Sequence, residues 1–95
     1  MSGYILAMVD VTDMEQYKKY TKLTPQIIDQ YGGRFLTRGG RTQLLEGNMD
    51  ERRMVLLEFP TYEDAQAFYN SPEYQSAMKL REGAANGIFM ALEGV

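Results

Sequence analysis

Short runs that are apolar on both parities alternate along this chain with stretches that are apolar every third or fourth position. Tyr4 to Val9 is apolar throughout until Asp10 intervenes, the pattern of a strand covered on both faces. Thr12 and Glu15 form a T-x-x-E capping box. Behind it Met14, Tyr17, Tyr20, Thr21, Thr24, Ile27, Ile28 and Tyr31 recur at helical spacing, which predicts a first helix stopped by Gly32-Gly33. Pro25 lies inside that helix. It withholds a hydrogen bond from the carbonyl of Thr21 and predicts a kink or restart, with Thr24 as a local cap.

Arg34 to Arg38 alternates as a short strand, Gly39-Gly40 interrupts it, and Thr42 to Glu46 resumes the extended pattern, so a bulge is expected at the glycines of an edge strand. A hairpin turn is expected to open at Gly47-Asn48. Arg53 to Phe59 is again apolar on both parities except at Glu58, as befits a central strand. Thr61 with Asp64 caps a second helix whose stripe is Tyr62, Ala65, Phe68 and Tyr69. Ser71-Pro72 opens a further helix that turns Tyr74, Ala77, Met78, Arg81 and Ala85 inward. Asn86-Gly87 should break it, and Ile88 to Glu93 reads as the last strand.

The order β-α-β-β-α-β, with its second helix broken in two, is that of a ferredoxin-like α+β domain spanning residues 1–95: a four-stranded antiparallel sheet with helices on one face. One helical layer leaves the other face uncovered, yet three strands are apolar on both parities. A second copy stacked sheet against sheet is the expected cover, making the protein a homodimer.

Composition narrows the chemistry. With no Cys, no His and no Trp, the chain has no disulfide scaffold, no Cys/His zinc site, no imidazole-based triad and no proximal-His haem. Carboxylate, Arg, Lys, Tyr and Ser/Thr remain. A net charge of −3 disfavours nucleic acid as a partner. The longest purely apolar stretch, Ile5 to Val9, is far short of the roughly 20 residues needed to span a bilayer, and no basic segment precedes an apolar core at the start of the chain. A cytoplasmic protein with no membrane partner is the expectation, without cofactor or metal.

Tyr31-Gly32-Gly33-Arg34-Phe35, Arg38-Gly39-Gly40, Glu46-Gly47, Glu58-Phe59 and Ser71-Pro72-Glu73-Tyr74, together with Tyr17, Tyr20, Ala65, Tyr69, Arg81 and Glu93-Gly94, resemble the domain of unknown function 1330 family across essentially the whole chain. The resemblance implies a dimeric α+β barrel, in which ferredoxin-like subunits pair through their sheets. Relatives of that architecture include cofactor-free monooxygenases, lactone isomerases and haem-using enzymes. The lack of His departs from the haem-binding members.

Several residues are candidates for chemistry. Glu58, an isolated carboxylate in an apolar strand, is either a general base with a raised pKa or one half of a structural ion pair. Arg81 is placed by periodicity on the inward helical face, where it binds an anion or runs its stem out to solvent. The expected arrangement pairs these two as catalytic residues, with Glu58 as base and Arg81 stabilising developing negative charge, beside Tyr17, Tyr69 and Tyr74 as substrate-binding hydroxyls. Between Gly32 and Arg41 lie three Arg, four Gly and no acid. Arg38 in this segment is a candidate anion contact, or a charge that keeps an edge strand soluble. The ligand so expected is a small anionic or carbonyl metabolite; the alternative is a non-catalytic binding or structural homodimer.

Overall fold

A computed structural model describes residues 1–48 and 50–95. Its elements are β1 (Gly3–Val11), α1 (Met14–Gln30), β2 (Arg34–Arg38), β3 (Arg53–Phe59), α2 (Tyr62–Asn70), α3 (Pro72–Met78), a 3₁₀ turn (Lys79–Arg81) and β4 (Ala85–Glu93). The sheet order is β2-β3-β1-β4 with every pair antiparallel, so the two apolar strands β1 and β3 are central. This is the ferredoxin-like α+β fold that the pattern predicts.

Parity decides which side each strand residue serves. Ile5, Ala7, Val9, Leu57 and Phe59 are buried beneath the helices with Ala65, Phe68, Tyr74 and Ala77. The even-numbered positions of β1, β3 and β4 turn to the opposite face. There the ladder sets Leu56, Leu6 and Met90 in one row, and Met54, Met8 and Ile88 in the next.

The local signals mostly hold. Thr61 accepts from Asp64 N at 3.0 Å and Ser71 from Tyr74 N at 3.1 Å, with Pro72 opening α3. Gly32, at φ +79°, ends α1 in a Schellman motif, with Gly33 N bonded to Ile28 O and Gly32 N to Asp29 O.

Four expectations change. Asp13, not Thr12, caps α1 by accepting from Gln16 N, and the Thr12 hydroxyl instead donates to Ala84 O at 3.0 Å. Helix α1 runs through Pro25 without a break, and Thr24 caps nothing: its hydroxyl donates to Thr21 O at 3.4 Å. The bulge of β2 falls between Phe35 and Thr37, not at the glycines. Gly39 N bonds to Met54 O, and among the described residues no strand pairs with residues 42–46, which leave the sheet. The turn expected at Gly47-Asn48 passes through position 49, outside the described residues. Finally, Glu82-Gly83 ends the helical segment, and Asn86-Gly87 already belongs to β4, opposite Asp10 and Val9. Gly87 suits that strand because a Cβ there would crowd the Phe89 ring and Met8 O.

Candidate binding slot

Between the helical layer and the inner face of the sheet lies a slot of about 520 Å³, counted out to its mouth. Ile5, Ala7, Val55 and Leu57 floor it, Tyr17, Tyr20 and Tyr74 close it from the helices, and Phe35, Tyr69 and Phe89 flank it. Its charged lining residues are Arg38 and Arg53. Among the described residues, no Asp or Glu lines it.

Each side chain is placed by a local feature. Tyr17, Tyr20 and Thr24 share the inward stripe of α1. Arg38 ends β2, stacks on the Phe35 ring at 4.5 Å, and donates from Nη2 to Thr21 O at 3.1 Å. Arg53 opens β3 opposite Val9, on the inward parity, and its guanidinium packs over Gly39, which has φ +64°. Any side chain at residue 39 would displace it. The Nε atom of Arg53 is buried with no hydrogen-bond partner among the described residues.

Arg81 backs the slot without lining it. Its Nη2 donates to Tyr74 Oη at 3.4 Å, and its guanidinium lies 4.4 Å from the centre of the Phe89 ring and 5.4 Å from that of Tyr20. Its Nε is likewise buried and unpartnered. Burial works against the charge, and Tyr74 and Tyr20 together more than offset it, so the guanidinium stays protonated. Tyr20 and Tyr74 bring their hydroxyls to 2.7 Å.

The Tyr17 and Tyr20 phenols remain neutral. Burial pushes the pKa of Tyr17 up against the combined pull of Arg53, Arg81 and Arg38, and burial followed by the neighbouring Tyr74 pushes that of Tyr20 up much further. The slot therefore offers positive charge and hydroxyl donors over an apolar floor, and among the described residues no carboxylate lines it.

Of the residues expected at a site, Tyr17, Arg38, Tyr69 and Tyr74 are brought together here, with Arg81 directly behind. Tyr69 contributes its ring only, since its hydroxyl points to Met78 Sδ at 3.7 Å. Glu58 is not part of the group. It has even parity, faces away from the helices, and is paired with Arg34 directly across the ladder at 2.7 Å. The expected Glu58–Arg81 pair is thus separated by the thickness of the sheet. Arg34 and then the Ser2 hydroxyl hold the Glu58 carboxyl below its usual range, the reverse of a poised base.

Arg53 and Tyr20 were not expected at a site. Arg53 shares its parity with Val55, Leu57 and Phe59, and a charge on the core parity of a central strand is the signal that marks it.

Among the described residues, no group of three or more His, Cys, Asp or Glu is placed to hold a metal ion, and no helix is long and apolar enough to cross a membrane.

Sheet order, helical layer and slot together define a ferredoxin-like α+β subunit. The chain belongs to the domain of unknown function family DUF1330, whose model matches residues 2–95. Its fold is similar to that of a protein of unknown function from Rhodopseudomonas palustris, with TM-score 0.75 and 21% identity over 99% of this chain and 82% of that one. A dimeric ferredoxin-like protein of unknown function from Thermobifida fusca has TM-score 0.62 and 10% identity, covering 99% and 92%. SnoaB, a cofactor-independent oxygenase from Streptomyces nogalater, has TM-score 0.64 and 7% identity, covering 99% and 93%. No curated protein matches the chain.

Proposed function

We propose that this protein is a homodimer in which each subunit binds a small anionic or carbonyl-bearing metabolite in the slot between sheet and helices. The observation that carries the reading is that Arg38 and Arg53 line the slot and Arg81 stands behind it on Tyr74 Oη, with no acid among the described lining residues. A protein of net charge −3 that gathers three guanidinia around one apolar cleft concentrates positive potential there, and a bound anion supplies the missing counter-charge.

Cofactor-free proton transfer, isomerisation and oxygenation of the kind named for SnoaB share a need to stabilise an anion of the substrate. The slot suits that task for a substrate acidic enough to ionise without a carboxylate base. The competing reading, a dimer whose slot residues merely close the core, leaves two buried guanidinium Nε atoms without a purpose.

Thermal shift against a panel of small carboxylates and enols tests the proposal. A ligand held at about 100 times its dissociation constant adds about 2.7 kcal/mol, a rise of several degrees for a domain this size. The rise should shrink in Arg38→Met and Arg53→Met. A panel that moves the melting temperature of neither wild type nor variants would sink the reading.

A further inference from the structure

The unspent hydrogen-bonding groups of the slot are donors, and they sit at two ends. Arg38 is exposed and marks the mouth, with Arg53 beside it. Tyr20 and Tyr74, at 7% and 1% exposure, mark the inner end. Two phenols carry two protons, and their 2.7 Å contact uses one. Arg81 adds a donor to Tyr74 Oη and takes up no proton. One phenolic proton in a buried pair is left over, and leaving a buried donor unmet is costly.

We propose that the slot recognises a small oxo acid, its carboxylate held at the mouth by Arg38 and Arg53 and its carbonyl or enolate oxygen accepting the free proton of the Tyr20–Tyr74 pair. This rests on the small-anion reading of the slot and specifies the ligand class. A cationic group is disfavoured at the mouth, where it would meet two guanidinia. A plain carboxylate satisfies the mouth and leaves the inner proton unmet; a plain ketone does the converse. Between the ends the walls are Phe35, Phe89 and the Tyr69 ring, which suit a flat apolar body.

Benzoylformate, phenylacetate and acetophenone share one carbon skeleton and differ in which polar end they carry. Isothermal titration of the full chain with each is the test. Benzoylformate should bind about tenfold more tightly than either of the others, the worth of one well-placed hydrogen bond or more. The double variant Tyr20→Phe with Tyr74→Phe removes both hydroxyls and keeps the ring shapes; it should abolish the advantage of benzoylformate over phenylacetate. Equal binding of benzoylformate and phenylacetate by the wild type overturns the oxo-acid proposal and leaves the anion slot standing. Acetophenone binding as tightly as benzoylformate removes the carboxylate anchor. If none of the three binds, the slot reading falls together with the proposal. Because the comparison of ligands is made on the wild type, the outcome does not depend on the variant folding.

Discussion

Arg38 donates through Nη2 to the backbone carbonyl of Thr21 across 3.1 Å, and this carbonyl is the one that Pro25 leaves without its helical partner. A proline inside α1 thereby supplies an anchor for a guanidinium on an edge strand, at the mouth of the slot. The Thr24 hydroxyl, at 3.4 Å, is a weak second donor to the same oxygen.

Replacing Pro25 by Ala restores an N–H at that position and closes the helical bond to Thr21 O. Because interior proline costs a helix about 3 kcal/mol relative to alanine, part of it offset by the freer unfolded chain, Pro25→Ala should raise stability by about 1–2 kcal/mol. Arg38 then shares its acceptor with the restored N–H, so its hold weakens and affinity for a carboxylate should fall, by about threefold. Melting curves and titration of the same preparation read both effects, and binding equal to wild type would show that Thr21 does not position Arg38.

Glu58 and Arg34 form a cross-strand pair on the open face, at 72% and 21% side-chain exposure for Arg and Glu respectively. Glu58→Gln should leave ligand binding in the slot untouched and change the melting temperature at neutral pH only slightly. The folded carboxyl titrates below its unfolded value of about 4.5, so its contribution is fully present above that pH and is lost as pH falls through the lowered folded value. The wild type should therefore lose stability faster than Glu58→Gln below about pH 4.5. A double-mutant cycle should find coupling between Glu58 and Arg34 and additivity between Glu58 and Arg81; coupling of the latter pair would contradict the placement of Glu58.

The fold could be read from the chain because its signals are local and redundant: double-parity runs in β1 and β3, and caps at Thr61 and Ser71 that the backbone then uses. The site was only partly readable. Helical spacing brought Tyr74 and Arg81 to one face, as their hydrogen bond bears out, and Tyr17 with them. Glu58 was misplaced because parity in a strand apolar on both sides does not say which side meets the helices. That same ambiguity concealed Arg53. The Gly39-Gly40 pair misled in another way: Gly39 makes room for the Arg53 guanidinium, a long-range contact that no pattern around residues 39 and 40 encodes.

Gly3 is buried in β1 beneath the entry to α2, and a Cβ built on it would run into the backbone of Thr61 and Tyr62. Backbone at a capped helix start cannot yield as a side-chain tip can. Gly3→Ala should cost about 3 kcal/mol, the upper part of the usual range for overpacking, and lower the melting temperature by roughly 10 °C or more. Ser2→Ala, one residue away, serves as the control, with a change within about 0.5 kcal/mol. Urea denaturation measures both, and a Gly3→Ala midpoint equal to wild type would contradict the close packing of β1 under α2.

The open face of the sheet carries the last prediction. Its rows Leu56–Leu6–Met90 and Met54–Met8–Ile88 run unbroken across β3, β1 and β4, with Leu92 beside Tyr4 continuing the patch. Ile88, Met90 and Leu92 remain 40–45% exposed in the single subunit. A patch this continuous is unusual on a monomer, and a two-fold related copy offers an equally apolar and self-complementary cover. Sedimentation equilibrium at micromolar concentration should give twice the 10.9 kDa chain mass, with a melting temperature that rises with protein concentration. Leu6→Glu sets an unpaired charge at the centre of the patch, and the isolated subunit tolerates it better than the dimer does, because only the dimer buries it. The variant should sediment as a folded monomer, or as a dimer weakened at least a hundredfold, in line with the several kcal/mol that an uncompensated buried charge costs an interface. Lys18→Glu, on the exposed side of α1, should leave the mass unchanged. A wild type that sediments at 10.9 kDa, or a Leu6→Glu variant as dimeric as wild type, would remove the sheet face as the site of pairing.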